Sequence, residues 1–221
     1  MPPDFKIRYS MTSVHEIILL FTKFPRPGCC KTRLIPALGP EKAALVQKIM
    51  TQSVLQKIDD FSRIYPCKTI VYHDGGSTGE MSKWLGKRFF YKKQHPGELG
   101  ERMFQAIAAQ LSDYRAVLLV GADCPSIDSG IFQEGFAALQ TNDVVIGPAF
   151  DGGYYLIGVR KSLSLESLHF LFSDIAWGTS AVLVQTLKRI NTLQLNHQLL
   201  KKLHDIDTPE DLQYFDYNPD A

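Results

Sequence analysis

Four basic side chains, Lys23, Arg26, Lys31 and Arg33, crowd a single short segment with no acid among them. The whole chain is nearly neutral, with 24 Lys and Arg against 23 Asp and Glu and a net charge of +1. Local clustering on that background points to an anion site, and Gly28 within the segment lets the backbone approach phosphate closely. The chemistry such cations do is to cradle a polyphosphate and to offset charge on a departing pyrophosphate or nucleoside diphosphate. A solvated basic loop is the plain alternative.

Asp123 supplies the complementary chemistry. It stands two residues beyond the run 116–121, within Gly121-Ala-Asp-Cys-Pro125. A carboxylate at the mouth of a buried strand can hold Mg²⁺ or Mn²⁺, hard ions that take oxygen ligands. It can equally close an Asx-type turn before Pro125. Asp205 and Asp207 stand in His204-Asp-Ile-Asp-Thr-Pro-Glu-Asp-Leu212, where Thr208, Pro209 and Asp211 already fit a helix start. Those caps leave Asp205 and Asp207 as candidate second ligands beside Asp123. Asp151-Gly152-Gly153 before Tyr154 reads both as a hairpin turn and as a place where an acceptor or sugar approaches the backbone. Trp177-Gly-Thr179-Ser combines a helix cap with an aromatic wall for a sugar or base. In the 94–102 segment, Gly97 and Gly100 permit approach of a flat base and Arg102 could reach phosphate, though a plain helix start accounts for it as well. Lys31-Thr32 mimics the end of a Walker loop, but Cys30 and Pro25 replace its two glycines, so that reading fails.

Elements that could bring these residues together are legible in the hydrophobic pattern. Strands are expected at 14–21, 69–73, 88–91, 116–121, 143–146 and 154–159, and helices at 41–61, 80–85, 99–111, 131–139 and 180–190, with a last one opening near Thr208. This alternation implies an α/β domain with a mostly parallel sheet, with one antiparallel excursion where 144–146 and 154–159 lie too close for a helical crossover. Ligands of such sheets bind beyond the carboxyl ends of the strands, where the candidate residues fall. The basic loop would run from 22 to about 40, longer than the roughly 12–15 residues usual for a structureless connection, which favours function.

Composition removes other classes. At 45% hydrophobic and 21% charged residues over 221, the chain is an ordinary globular one, and its neutrality gives no sign of a generic nucleic-acid binder. No apolar run approaches the roughly 18 residues of a membrane span. Four cysteines without a CxxC support neither a disulfide framework nor a zinc site, so a reducing cytoplasm is the expected home. Residues 1–13 lack an apolar h-region and read as a loose leader, with a single domain over 14–221.

Taken together, Lys23-x-Pro-x-Pro-Gly28-x-x-Lys31-Thr-Arg33-Leu, Gly121-x-Asp123-x-Pro125, Gly147-Pro-x-x-Asp151-Gly-Gly-Tyr-Tyr-Leu-Ile-Gly158, Trp177-Gly-Thr-Ser and Asp205-Ile-Asp-Thr-Pro-Glu-Asp-Leu212 resemble the DUF2064 family. Its members are glycosyltransferase-like proteins, also called radical-SAM/selenodomain-associated transferases. The resemblance spans about 14–212 and implies a three-layer α/β/α sandwich of the nucleotide-diphospho-sugar transferase (GT-A) fold. It implies that Lys23, Lys31 and Arg33 hold phosphates and that Asp123 holds Mg²⁺ or Mn²⁺. The 97–102 segment would line the nucleoside, and Asp151, Gly152 and Gly153 would face acceptor or sugar. Typical GT-A glycosyltransferases carry Asp-x-Asp, whereas Cys124-Pro125 follows Asp123 here. A single carboxylate with a Lys/Arg loop looks more like nucleotidyltransferases, whose loop is however richer in glycine.

The expected function is therefore a metal-dependent transferase using a nucleotide-diphospho-sugar donor and a small-molecule acceptor. A nucleotidyltransferase releasing pyrophosphate is the alternative, and a non-catalytic nucleotide or sugar sensor a further one. Neither nucleic acid nor membrane is an expected partner, and homo-oligomerisation is left open.

Overall fold

Ile17 and Leu19 point to one side of the first strand and Ile18 and Leu20 to the other, and all four are fully buried. Helices must therefore cover both faces of the sheet that contains β1 (Glu16–Lys23). The computed structural model describes residues 14–215, so the leader expected over 1–13 lies outside the described residues. On one face, α1 (Ile35–Ile64), α2 (Thr78–Leu85) and α4 (Ser129–Ala138) bring Val54, Ile58, Phe61, Met81, Phe132 and Phe136 onto Ile18 and Leu20. On the other, α3 (Leu99–Leu111), α5 (Leu165–Phe172) and α6 (Val182–Thr192) bring Met103, Ile107, Leu168, Leu171 and Ile190 onto Ile17 and Leu19. The result is the expected three-layer α/β/α sandwich.

The sheet also contains β2 (Lys68–Asp74), β3 (Phe90–Lys93), β4 (Ala116–Gly121), β5 (Val144–Pro148), β6 (Tyr154–Arg160) and β7 (His197–Leu199). Its order is β3-β2-β1-β4-β6-β5-β7. β6 runs antiparallel to both β4 and β5, and the other pairings are parallel. The expected antiparallel excursion is thus the β5–β6 hairpin. Because β1, β2, β3 and β4 all run one way, the segments that follow them gather along one edge.

Three expectations change. The basic loop is shorter than its sequence suggests, because β1 continues through Lys23, a 3₁₀ turn forms at Thr32–Leu34 and helix resumes at Ile35. Gly39 (φ 79°) then breaks the helix, with Pro40 restarting it, which erased the apolar period over this stretch. Leu34 instead packs with Val46, Met50 and Ile206 in a small separate cluster beneath the basic loop. The segment expected as a C-terminal helix is a 3₁₀ helix, Pro209–Tyr214, although Thr208 and Asp211 do form the expected capping box. α5 and β7 have no counterpart in the sequence reading. No helix among the described residues is long and apolar enough to cross a membrane.

Candidate functional site

A cleft of about 620 Å³ opens along the carboxyl edge of the parallel strands. Lys23 reaches it from the end of β1, Lys31 and Arg33 from the loop after β1, Asp123 from the end of β4, and Asp151, Gly153 and Tyr154 from the β5–β6 turn. Trp177 and Thr179 line it from the α5–α6 connection, Asp205 and Asp207 from the segment after β7, and Gly97 and Arg102 from the start of α3. Six stretches scattered over the sequence thus share one cleft. Arg26 lies apart, 3.9 Å from the exposed Glu80.

The centre of the cleft is a knot of charge. Lys31 Nζ sits 3.0 Å from Asp123 Oδ1 and 3.6 Å from Asp207 Oδ1, and its side chain is only 4% exposed. Arg33 Nη1 donates to Asp207 Oδ2 at 2.8 Å. Burial alone would pull the Lys31 ammonium down, but Asp123, Asp207 and then Asp205 outweigh it and hold the group above its ordinary value. A backbone hydrogen bond and a side-chain one lock the carboxylate-bearing segments together: Ile206 N donates to Asp123 O at 2.9 Å and Cys124 Sγ to His204 O at 3.2 Å. Asp205 acts on Lys31 from farther off than Asp123 and Asp207, and forms no close ion pair among the described residues. Its carboxyl is pushed up to about 6, first by burial and then by Asp151 and Asp123 nearby, against a lowering backbone hydrogen bond.

At the β2–β3 end, Arg102 is held in place. Its Nε donates to Gly97 O at 2.8 Å, and its Nη1 to Asp74 Oδ2 at 3.1 Å and more distantly to Gln94 Oε1. Gln94 in turn donates to Thr22 O and Tyr72 O. Asp74 and Gln94 line the cleft but did not figure among the candidate ligands. Asp74 carried the signal that singled out Asp123, a carboxylate ending a parallel strand, but Gly75-Gly76 after it reads as a turn.

The opposite wall is aromatic. Trp177 meets Tyr154 edge-on at 6.2 Å and lies 6.5 Å from Phe172. The Tyr154 hydroxyl is buried toward the Thr186 hydroxyl, and burial drives its phenol above its ordinary value against the lowering effect of Thr186. Thr179 Oγ1 donates to Ala176 O and accepts from Ala181 N, bracing the turn before α6. Asp151 Oδ1 accepts from Gly153 N at 2.7 Å, so the residue closes its own turn while still lining the cleft.

Three glycines expected at the ligand are not among the residues that line this cleft. Gly28 lies in the exposed β1 loop, outside the cleft lining. Gly152 (φ 93°) packs backbone to backbone on the segment before α6, where a Cβ would fall 2.3 Å from Ser180 O. Gly100 lets α3 close against the α5–α6 connection, where a Cβ would lie 2.5 Å from Phe172 O and 2.6 Å from Trp177 Nε1. Gly100→Ala is therefore expected to cost about 1–3 kcal/mol through overpacking, read as a lowered melting temperature and an altered near-UV signal from Trp177.

The donor chemistry of the cleft suits a divalent cation. Its lining carries four cationic side chains, Lys23, Lys31, Arg33 and Arg102, against six carboxylates, Asp74, Glu98, Asp123, Asp151, Asp205 and Asp207. A polyphosphate entering that surplus of negative charge needs a further positive one. No three His, Cys, Asp or Glu among the described residues form a ready metal cage. Mg²⁺ commonly takes only one or two carboxylates and completes its shell with substrate phosphates and water, a role open to Asp123 and Asp205.

Comparison with known proteins agrees with this architecture. Residues 58–179 match the model of a family described as uncharacterised proteins conserved in bacteria, DUF2064. A candidate nucleotide-diphospho-sugar transferase from Desulfovibrio desulfuricans G20 superposes with a TM-score of 0.79 at 33% identity, covering 90% of this chain and 84% of that one. A nucleotidyl transferase from Methanothermobacter thermautotroptrophicus gives 0.62 at 13% identity, over 90% and 95% of the two chains. Rv0371C of Mycobacterium tuberculosis H37Rv, in complex with manganese, gives 0.56 at 13% identity, over 90% and 96%. The last two share the fold alone. Among curated proteins none matches the chain.

Proposed function

The chain belongs to the DUF2064 family, and from that membership and the geometry of the cleft we propose that it is a metal-dependent transferase acting on a nucleotide-diphospho-sugar donor. The observation that carries the reading is the juxtaposition of Lys31 and Arg33 with Asp123, Asp205 and Asp207 at the carboxyl edge of the sheet. Cations beside carboxylates can serve both halves of a metal–diphosphate pair. The donor's nucleoside lies toward Asp74, Gln94 and Arg102, its diphosphate over Lys31 and Arg33, and its sugar between Trp177 and Asp151. Asp123 and Asp205 would hold the Mg²⁺ or Mn²⁺, which would neutralise charge on the diphosphate.

During transfer the bond between the sugar's anomeric carbon and the diphosphate breaks and one to an acceptor oxygen or other nucleophile forms. Negative charge then grows on the leaving nucleoside diphosphate, where Lys31 and Arg33 stabilise it. Asp151 stands where it can accept the hydrogen of an acceptor hydroxyl, and Trp177 with Tyr154 supplies an apolar wall for a sugar face.

A second reading has its own support. Cys124-Pro125 after Asp123 leaves one carboxylate where an Asp-x-Asp pair would give two, and the Methanothermobacter structure with this fold is named a nucleotidyl transferase. Product analysis separates the two. The purified protein is incubated with Mn²⁺ and panels of nucleotide sugars or nucleoside triphosphates. Release of nucleoside diphosphate is the expected result, whereas pyrophosphate from a triphosphate would replace glycosyl transfer with nucleotidyl transfer. Binding of nucleotides without turnover of any donor would favour the sensor.

A further inference from the structure

We propose that Lys31 is a resident counter-ion that keeps the metal's place, seated on Asp123 and Asp207 until a divalent cation displaces it and frees it for the donor's phosphates. This rests on the metal-dependent reading above and specifies how that site is switched.

A lysine at the edge of an open cleft would ordinarily keep its ammonium in water. Lys31 does the opposite: its side chain is 4% exposed, with Nζ 3.0 Å from Asp123 and 3.6 Å from Asp207. In that position the amine is turned to carboxylates and has little surface left to offer a phosphate. Its backbone is unusual as well, with φ 45° and ψ 46°, the left-handed region that a residue with a Cβ enters at a cost. A conformation of that kind persists where surrounding contacts impose it, and the two carboxylates are contacts that a metal would take away.

The wiring around the knot supports exchange over simple addition. An ammonium and a divalent cation both seated on Asp123 would repel strongly in a half-buried setting, so one excludes the other. Arg33 remains on Asp207 Oδ2 at 2.8 Å, so Asp207 keeps a cation when Lys31 leaves. Asp205 lines the same cleft as Asp123 and Asp207, so a metal arriving at Asp123 would find a second carboxylate there. Metal and nucleotide should consequently bind cooperatively, because the metal's arrival liberates a phosphate ligand, and the coupling is reciprocal.

The test uses the full chain and Mn²⁺ alone, with free Mn²⁺ read by electron paramagnetic resonance. Lys31→Met removes the competitor, so Mn²⁺ should bind about tenfold more tightly than to the wild type, while nucleoside diphosphate in the presence of Mn²⁺ binds more weakly. In parallel, an amine-acylating reagent followed by peptide mass analysis reads the exposure of Lys31 in the wild type. Lys31 should be protected without Mn²⁺ and labelled with it, while exposed Lys93 is labelled equally in both. Unchanged or weakened Mn²⁺ affinity in a folded Lys31→Met, or Lys31 labelling indifferent to bound Mn²⁺, overturns the exchange. If Mn²⁺ still binds and Asp123→Ala abolishes that binding, the metal-dependent reading survives such a failure. If neither protein binds Mn²⁺, both fall together. Should Lys31→Met not fold, the wild-type labelling decides alone.

Discussion

Asp123→Ala should lower metal-dependent turnover by about 10²–10³-fold, the scale on which loss of one preorganised charge-stabilising contact is felt in an active site. The carboxylate stands at the end of β4, fixed through Ala122 N to Phe21 O and through Ile206 N to its own carbonyl, so its position depends on backbone contacts that the substitution leaves intact. What disappears is the oxygen ligand and half of the seat of Lys31. The ammonium keeps Asp207 at 3.6 Å, and Asp123 is itself 55% exposed. Removing one member of a deeply buried pair can cost several kcal/mol, but with a second carboxylate in place and one partner in water the expected loss is about 1–2 kcal/mol. The variant should therefore fold, melt a few degrees lower, and bind Mn²⁺ poorly. Asp123→Asn, which keeps the shape but not the charge, should behave alike. Turnover near wild type in either variant would remove Asp123 from the metal and leave it a loop-closing residue.

Why the site was only partly legible follows from the kind of information each residue carries. Asp123 could be singled out because its signal is local: an apolar strand stops and a carboxylate follows. The layers were legible for a similar reason, since 116–121 can only be a buried strand and Val46, Ile49, Met50, Val54 and Ile58 mark a helix face. Leu165–Phe172 escaped because apolar residues run around much of the helix without a clean stripe, and His197–Leu199 because three residues carry no period. Lys31 was read as a free phosphate ligand from an acid-free loop. Its acids come from Asp123 and Asp207, distant in sequence and delivered by the sheet. Gly100 and Gly152 show the same limit. A glycine announces that something comes close, and only the tertiary structure shows that Phe172, Trp177 and Ser180 are what approach.

Asp205 gives the cleft a pH dependence whose sign differs between the metal-free and metal-bound protein. Burial, then Asp151 and Asp123, raise its carboxyl from 3.8 to about 6. In the metal-free protein a raised carboxyl means that folding favours the protonated form. The favourable contribution is fully present below about 3.8 and is lost as pH rises through about 6. Allowing for its partial exposure, ionised Asp205 should cost the metal-free fold about 1–2 kcal/mol at pH 7, so Asp205→Asn should melt higher than the wild type there and lose that advantage near pH 4. A divalent cation reverses the preference, because it binds the carboxylate and must expel the proton. Mn²⁺ affinity should climb between pH 5 and 7 with a bend near 6 and with proton release that calorimetry in buffers of different ionisation enthalpy can count. In Asp205→Asn that step should vanish and affinity should fall at every pH. A wild-type Mn²⁺ affinity that is flat from pH 5 to 7 would take Asp205 out of the metal's shell, leaving Asp207 as the partner of Asp123. A variant that melts higher at pH 7 yet binds Mn²⁺ weakly would show the residue to be unfavourable for the metal-free fold and useful only once the cation arrives.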